Sequence, residues 1–498
     1  MLHQRTAHDV SQLKTAAELN EYHWIGCDVS APGLGNSLKM HPALRLLGHR
    51  IPVLLTLPVI LTVVYLLHTF DRSPQVALQS CEPGSNQPAQ AAGPASSKVP
   101  TALDSRCKAF PDPGNLQVTI KTGATEAYEK LLPQLMTSLG CSQRVEIFSD
   151  LEETIGTYHL HDALKDFDAE MKLTHPDFEV YRLQQEYQAT GQDISELAKK
   201  HKIVWNLDRY KFMHMVQKTW ELNPGLDWYL FVESDTYVFW ANFNTWLRRF
   251  DPSKKLYLGS EAQIWTQWFA HGGSGFVLSG ALLQQFVGED KQMASRNDKV
   301  LIDACCGDMI LARAIQKYTG VEVQNNWPWI NGETPWTIPF GPNYWCKPII
   351  TFHHIQPRQR ALIWNFEQKR KNPDELLLFE EMSQLAFPDG KLHEQLEDWD
   401  NLSEVLVANP SGQPHTLDSC KHACSFRDDC WQYLYSDGEC YLSGKGFRMG
   451  FKKPPIAGRR WISGWKPEKI EAFRKDNVCK EPEWREDDYP ALSQPSAP

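Results

Sequence analysis

The stretch WYLFVESDTYVFW, Trp228–Trp240, decides how the chain is read. It is apolar on both flanks and holds two acids, Glu233 and Asp235, at its centre. WYLFV reads as a buried strand. In an extended chain residues i and i+2 project to the same side, so Glu233 and Asp235 point together while Ser234 points away. Two carboxylates that close repel each other, and a hard divalent cation removes the repulsion. Mg²⁺ or Mn²⁺ takes oxygen ligands, keeps waters, and binds through one or two carboxylates plus substrate phosphates. The competing reading is a hairpin, with ESD as the turn and TYVFW as the returning strand. The stretch alone leaves both readings open.

Its neighbours bear on the choice. LQVTIKTG (116–123) alternates as a strand, and RVEIFSD is a second strand ending at Asp150. DRYKFMHMVQKTWELN is an amphipathic helix leading into the opening stretch. Strands alternating with helices predict an α/β chain with a doubly wound, mostly parallel sheet. Ligands then sit outside the carboxyl ends of the strands, where Asp150 and the Glu233/Asp235 pair both fall. Downstream, HGGSGFVLSGALLQQF supplies Gly272, Gly273 and Gly275, which permit close backbone approach to a ligand or a tight turn. CCGDMILARAI puts Asp308 at the start of an amphipathic helix, a place the helix dipole favours for any acid. PIITFHHIQP puts His353 and His354 at the end of an apolar strand, able to complete a metal site begun by the two acids.

At 498 residues the chain is too long for one core. Its net charge of −10 and its lack of a long basic run argue against a nucleic-acid binder. Ile51–His68 contains no Asp, Glu, Lys or Arg and predicts a single membrane-spanning helix, assigned to 51–70, with a signal-peptide core as the alternative. Lys39, Arg45 and Arg50 precede it and only Arg72 follows closely, so the tail 1–50 is expected in the cytosol and the bulk of the chain in the lumen. Residues 71–110 have linker composition. A globular α/β domain is expected over 111–375, a charged connecting segment over 376–410, a cysteine-dense module over 411–468 and a polar tail over 469–498. Eleven of the twelve cysteines follow the apolar segment, so disulfides are the default reading of most of them. Asn401, in NLS, is the expected N-glycosylation acceptor.

The order of these pieces, from DRYKFMHMVQKTWELN through WYLFVESDTYV and GGSGFVLS to the GD acid and TFHH, resembles the Fringe and core 1 β-1,3-galactosyltransferase group, glycosyltransferase family 31, over about residues 113–365. The resemblance implies a GT-A fold in a type II Golgi membrane enzyme. It implies an inverting reaction with Mn²⁺ in which a hexose or N-acetylhexosamine passes from a UDP-sugar to a glycan or glycoprotein hydroxyl, with a β-1,3 linkage. Glu233 and Asp235 match the ends of the family's Asp-rich triplet, with Asp235 the main metal ligand. His353 matches the metal-site histidine and Asp308 the catalytic base. Asp150, Gly272, Gly273 and Gly275 fall on the donor side. The triplet is Glu-Ser-Asp rather than Asp-Asp-Asp, and Gly307 and Ala312 stand where the family often has an acid and a glycine. These departures motivate an alternative: a catalytically inactive, membrane-anchored glycan- or protein-binding protein on the same fold. CKHACSFRDDCWQYLYSDGECYL resembles a PAN/Apple module, which implies the bridges Cys420–Cys440 and Cys424–Cys430. Adjacent cysteines rarely reach disulfide geometry with each other, so one of Cys305 and Cys306 is expected to bond Cys346.

Overall fold

A computed structural model describes residues 114–142, 144–200, 206–373, 375–388 and 392–484. The expected tail 1–50, membrane helix 51–70 and linker 71–110 lie outside the described residues. Among the described residues no helix is long and apolar enough to cross a membrane.

The strands of the first half are β1 (Leu116–Lys121), β2 (Val145–Ser149), β3 (Glu153–Ile155), β4 (Tyr158–Asp162), β5 (Trp228–Glu233), β6 (Tyr237–Val238), β7 (Tyr257–Gly259), β8 (Glu261–Ile264), β9 (Gln267–Ala270), β10 (Phe276–Ser279), β11 (Gln324–Asn325) and β12 (Thr351–Phe352). Eight of them form one sheet in the order β11-β7-β10-β5-β1-β2-β4-β3. The pairs β1–β2, β1–β5, β2–β4 and β7–β11 are parallel. The pairs β5–β10, β10–β7 and β4–β3 are antiparallel. The expected α/β class with a mostly parallel sheet fits this arrangement.

The place of β5 in the sheet explains why it is apolar from Trp228 to Val232, up to its last residue, Glu233. Tyr229 and Phe231 enter a core built with the helices Asp208–Leu222 and Gly307–Thr319. Trp228, Leu230 and Val232 enter a second core with the helices Ala127–Leu135 and Trp240–Leu247. The sheet is therefore covered on both faces, and each face takes alternate residues of the strand. Truncating Phe231 to Ala would cost about 3–5 kcal/mol in such a place.

The hairpin reading of the opening stretch is wrong. β5 pairs with β1 and β10, whereas β6 turns away and pairs with β12 in a separate two-stranded sheet. Tyr237 lies opposite Phe352 there, so the residues following β12 come up beside Asp235.

The C-terminal half contains β13 (Gln395–Glu397), β14 (Trp399–Asp400), β15 (Val405–Val407), β16 (Gln432–Ser436), β17 (Glu439–Ser443), β18 (Phe451–Lys452) and β19 (Ile462–Trp465). Five form an antiparallel sheet, β13-β19-β16-β17-β15, beside the helix Leu417–Ser425. Cys420 bonds Cys440 and Cys424 bonds Cys430, the nested pattern. Since β13 and β15 are strands of this sheet, the module begins inside the expected connecting segment.

Three expectations about this half are corrected. Residues 469–484 are not a free polar tail: Ile470 is buried in an aromatic core that joins Trp345, Phe379, Trp431 and Phe447. Cys346 bonds Cys479, not Cys305 or Cys306, whose own Sγ atoms face each other at 2.6 Å. Asn401 is fully buried, and its Nδ2 donates to the carbonyls of Tyr433 (3.1 Å) and Gly464 (3.3 Å). An amide so enclosed has no room for a glycan, so Asn401 serves the module's interior instead.

Candidate functional site

The acids of the opening stretch sit in a turn held from outside. Gln134 Nε2 donates to the carbonyls of Glu233 and Thr236. Buried Arg360 donates from Nη2 to the carbonyls of Ser234 (3.1 Å) and Thr236 (3.0 Å). The Ser234 hydroxyl accepts from Thr122, away from the acids. Glu233 and Asp235 both turn toward His353: Nε2 lies 3.1 Å from Asp235 Oδ1 and 3.7 Å from Glu233 Oε2. The i, i+2 expectation is therefore met at the level of side chains.

His353 follows β12 and is buried, and His354 beside it adopts a left-handed backbone with φ of 57°. Asp235, His353 and His354 each offer a ligand atom, all within 4.8 Å of one another. Asp235 Oδ1 and His353 Nε2 are buried and have no partner but each other. Their 3.1 Å separation is that of neighbouring ligands on an octahedral ion with bonds of about 2.1 Å, which stand about 3.0 Å apart. Burial opposes protonation of His353, but Asp235 and Glu233 outweigh it and push the imidazole up to about 9. The same negative field that holds a proton there favours a cation. These residues fit a divalent metal.

Lysines that were not singled out in the sequence balance the acids. Lys121 is opposite Glu233 in the β1–β5 register, and its Nζ is 3.0 Å from Glu233 Oε1 and also bonds Asp208. Lys130 Nζ is 3.1 Å from Asp235 Oδ2 and 2.9 Å from Glu126 Oε2. Burial disfavours ionised Glu233, yet Lys121 and His353 hold its carboxyl well below the usual range. Burial likewise opposes ionised Asp235, and His353 and Lys130 prevail. Lys121 ends a strand at the sheet's ligand-facing edge, so its position was open to the same reasoning as Asp150. Lys130 and Arg360 lie on helices and carry no such signal.

The glycines act as spacers between the reactive groups. Gly272 N donates to Asp308 Oδ2 at 2.9 Å, and an added Cβ there would lie 2.6 Å from Phe212 Cζ. A Cβ on Gly273 would overlap the His353 ring, at 2.6 Å from Nδ1. Thr236 Oγ1 donates to the Gly273 carbonyl at 2.8 Å, tying this loop to the acidic turn. Gly275 has φ of 84°, a conformation suited to glycine. Consecutive residues of one loop thus touch Asp308 and His353.

Asp308 lies in the first turn of the helix Gly307–Thr319 and is buried. Its Oδ1 also accepts from Met309 N at 2.8 Å. Burial raises its carboxyl to about 6 despite those two backbone donors. Gly307 has a packing reason: a Cβ there would lie 2.6 Å from Phe212 Cδ2 and press on the Arg209 backbone. Asp150 is buried behind the site, with Oδ1 accepting from Ala124 N at 2.5 Å and Oδ2 3.9 Å from Lys211 Nζ. It fixes the loop after β1 rather than facing solvent. His271 bonds Ser274 through Nδ1 at 2.8 Å, its ring 5.5 Å from that of His353. Burial and His353 push His271 down to about 4, so it is neutral.

A family model described as Fringe-like matches residues 170–326. That span holds Glu233, Asp235, Gly272, Gly273, Gly275 and Asp308, and leaves Asp150 and His353 outside. The Fringe-like domain supports a glycosyltransferase, with a sugar donor and a glycan acceptor, and Fringe-like enzymes are generally dependent on a divalent metal.

Proposed function

We propose that this Fringe-like chain is an inverting, Mn²⁺-dependent glycosyltransferase that moves a hexose or N-acetylhexosamine from a UDP-sugar to a glycan or glycoprotein hydroxyl, forming a β-1,3 linkage. We place it in the Golgi membrane, anchored through residues 51–70 with the catalytic domain in the lumen. The observation that carries the reading is the GGSG loop: Gly272 binds Asp308 while its neighbour Gly273 packs on His353. A base and a metal-ligand cluster are thereby held by adjacent residues of one loop.

Asp235, His353 and His354, with Glu233 beside them, would hold the metal. When bound it supplies positive charge against the growing charge of the diphosphate leaving group. Asp308 takes the proton from the acceptor hydroxyl at a carboxylate oxygen. With its carboxyl near 6 it is ionised at neutral pH yet more basic than an ordinary aspartate, the compromise a general base needs. Attack from the face opposite the leaving group inverts the anomeric centre. The buried Lys121 and half-buried Lys130 hold the two acids in place and keep the charge of the cluster from accumulating.

Those lysines also favour a second reading. Their ammonium groups already neutralise Glu233 and Asp235, as suits a glycan-binding protein without turnover on the same fold. A screen of UDP-sugars for Mn²⁺-dependent UDP release by the purified chain separates the two. Release that vanishes in Asp235→Ala supports the transferase. No release with any UDP-sugar, together with retained glycan binding, overturns it.

A further inference from the structure

Strand β4, near the edge of the eight-stranded sheet, carries His159 and His161. Their i, i+2 spacing puts both imidazoles on one face of the strand. Glu146 of β2 and Glu152, just before β3, reach the same face. His159 Nε2 lies 2.9 Å from Glu152 Oε1, and His161 Nε2 lies 2.9 Å from Glu146 Oε2. The two imidazoles meet edge-on with centroids 4.6 Å apart. Glu152, His159 and His161 each offer a ligand atom within 4.8 Å of the others.

We propose that His159, His161, Glu152 and Glu146 form a second metal site, for Zn²⁺, that shares no residue with the Glu233–Asp235–His353 group. Two imidazole nitrogens and the Glu152 carboxylate lie within 4.8 Å of one another, and the Glu146 carboxylate, 2.9 Å from His161 Nε2, is at hand as the fourth donor of a set suited to tetrahedral zinc. Bonds of about 2.0–2.1 Å place tetrahedral donors about 3.3 Å apart, so the 2.9 Å contacts need to open by only a few tenths of an ångström. Side chains that remain 44% (Glu152) and 48% (His159) exposed can make that adjustment and can be reached by an ion from solvent. The carboxylates are already oriented from behind. Asn223 Nδ2 donates to Glu146 Oε1 at 3.0 Å, and Asp162 N donates to Glu152 Oε2 at 3.1 Å. Two isolated imidazole–carboxylate pairs would explain each contact separately, but not the convergence of both imidazoles and both acids on one face. A bound zinc would join β2, β4 and the turn beyond Asp150.

The test uses Co²⁺ as a spectroscopic stand-in for Zn²⁺, added to the purified chain in excess Mn²⁺. Wild type should show the visible d–d bands of a tetrahedral ion, and one equivalent of Zn²⁺ should bleach them. Asp235→Ala should keep the bands. His159→Gln/His161→Gln should lose them, and His159→Gln alone serves if the double variant does not fold. Asn223→Ala should weaken Zn²⁺ binding about tenfold, as loss of an orienting partner does. Absence of the bands in wild type, or bands undiminished in the histidine variants, overturns the proposal.

Discussion

Replacing Gly273 by Ala should disable the site through one methyl group. The new Cβ would overlap Cε1 and Nε2 of His353 and stand 2.6 Å from Nδ1, the farthest of the three; ordinary contact begins at 3.4 Å, so the ring must retreat by more than 3.4 − 2.6 = 0.8 Å. The ring cannot yield freely, because His353 N is tied to the Glu333 carbonyl and Ile355 N to that of Asp235. Its Nε2 also faces Asp235 at 3.1 Å, so the displacement is passed to the metal ligands. A misplacement near 1 Å costs a catalytic site about 10²-fold, and the overpacking itself costs about 1–3 kcal/mol of stability. Measured together, Mn²⁺ titration of UDP release and thermal denaturation should show that loss with a raised Mn²⁺ requirement. Gly123→Ala is the control, since its nearest neighbour would be 3.6 Å from the added carbon. Near-wild-type activity and Mn²⁺ response in Gly273→Ala would refute the placement of His353 in the site.

Further expectations follow from the charges and the cross-link. Asp308→Asn should lower kcat by about 10²–10⁴-fold while sparing UDP binding by calorimetry. The wild-type rate should rise with pH through about 6 as Asp308 loses its proton, and this limb should be absent from the residual activity of the variant. Burial pushes Glu367, which accepts from Tyr237 Oη, up to about 8. Between the unfolded pKa of about 4.3 and that value the folded state binds more protons than the unfolded, so this residue makes stability fall as pH rises. Glu367→Gln should flatten that dependence in urea unfolding at pH 5 to 8. Cys346→Ser removes a bridge between residues 133 apart in sequence and should cost about 2–5 kcal/mol in the same assay.

What could be read in the sequence was whatever local spacing encodes. The unbroken apolar run Trp228–Val232 marks a strand in the sheet's interior, because both faces of β5 are buried. Glu233 and Asp235 were expected on one side from strand spacing, and they do meet at His353, but through the turn in which Asp235 lies just beyond the end of β5. The stretch alone could not choose between hairpin and metal cluster, since that depends on which strand β6 joins. Its partner, β12, lies more than a hundred residues on. The same distance hid Lys130 and Arg360, ordinary helix residues until folding sets them against the acidic turn. Asn401 misled for the opposite reason. A three-residue pattern says nothing of burial, and here its amide braces the C-terminal sheet from within.

The aromatic core shared by the two halves sets an order of events during synthesis. Trp345 and Phe340 need Trp431, Phe447 and Phe473 to be enclosed, and Cys346 waits for Cys479. Trp484 then comes to rest near Trp329, with ring centroids 5.9 Å apart. A ribosome delivers these later residues only after the whole acidic site has emerged. Until the segment 431–484 arrives, the aromatic flank of the first half lacks the residues that enclose it. Closure of that flank is timed by the far end of the described chain.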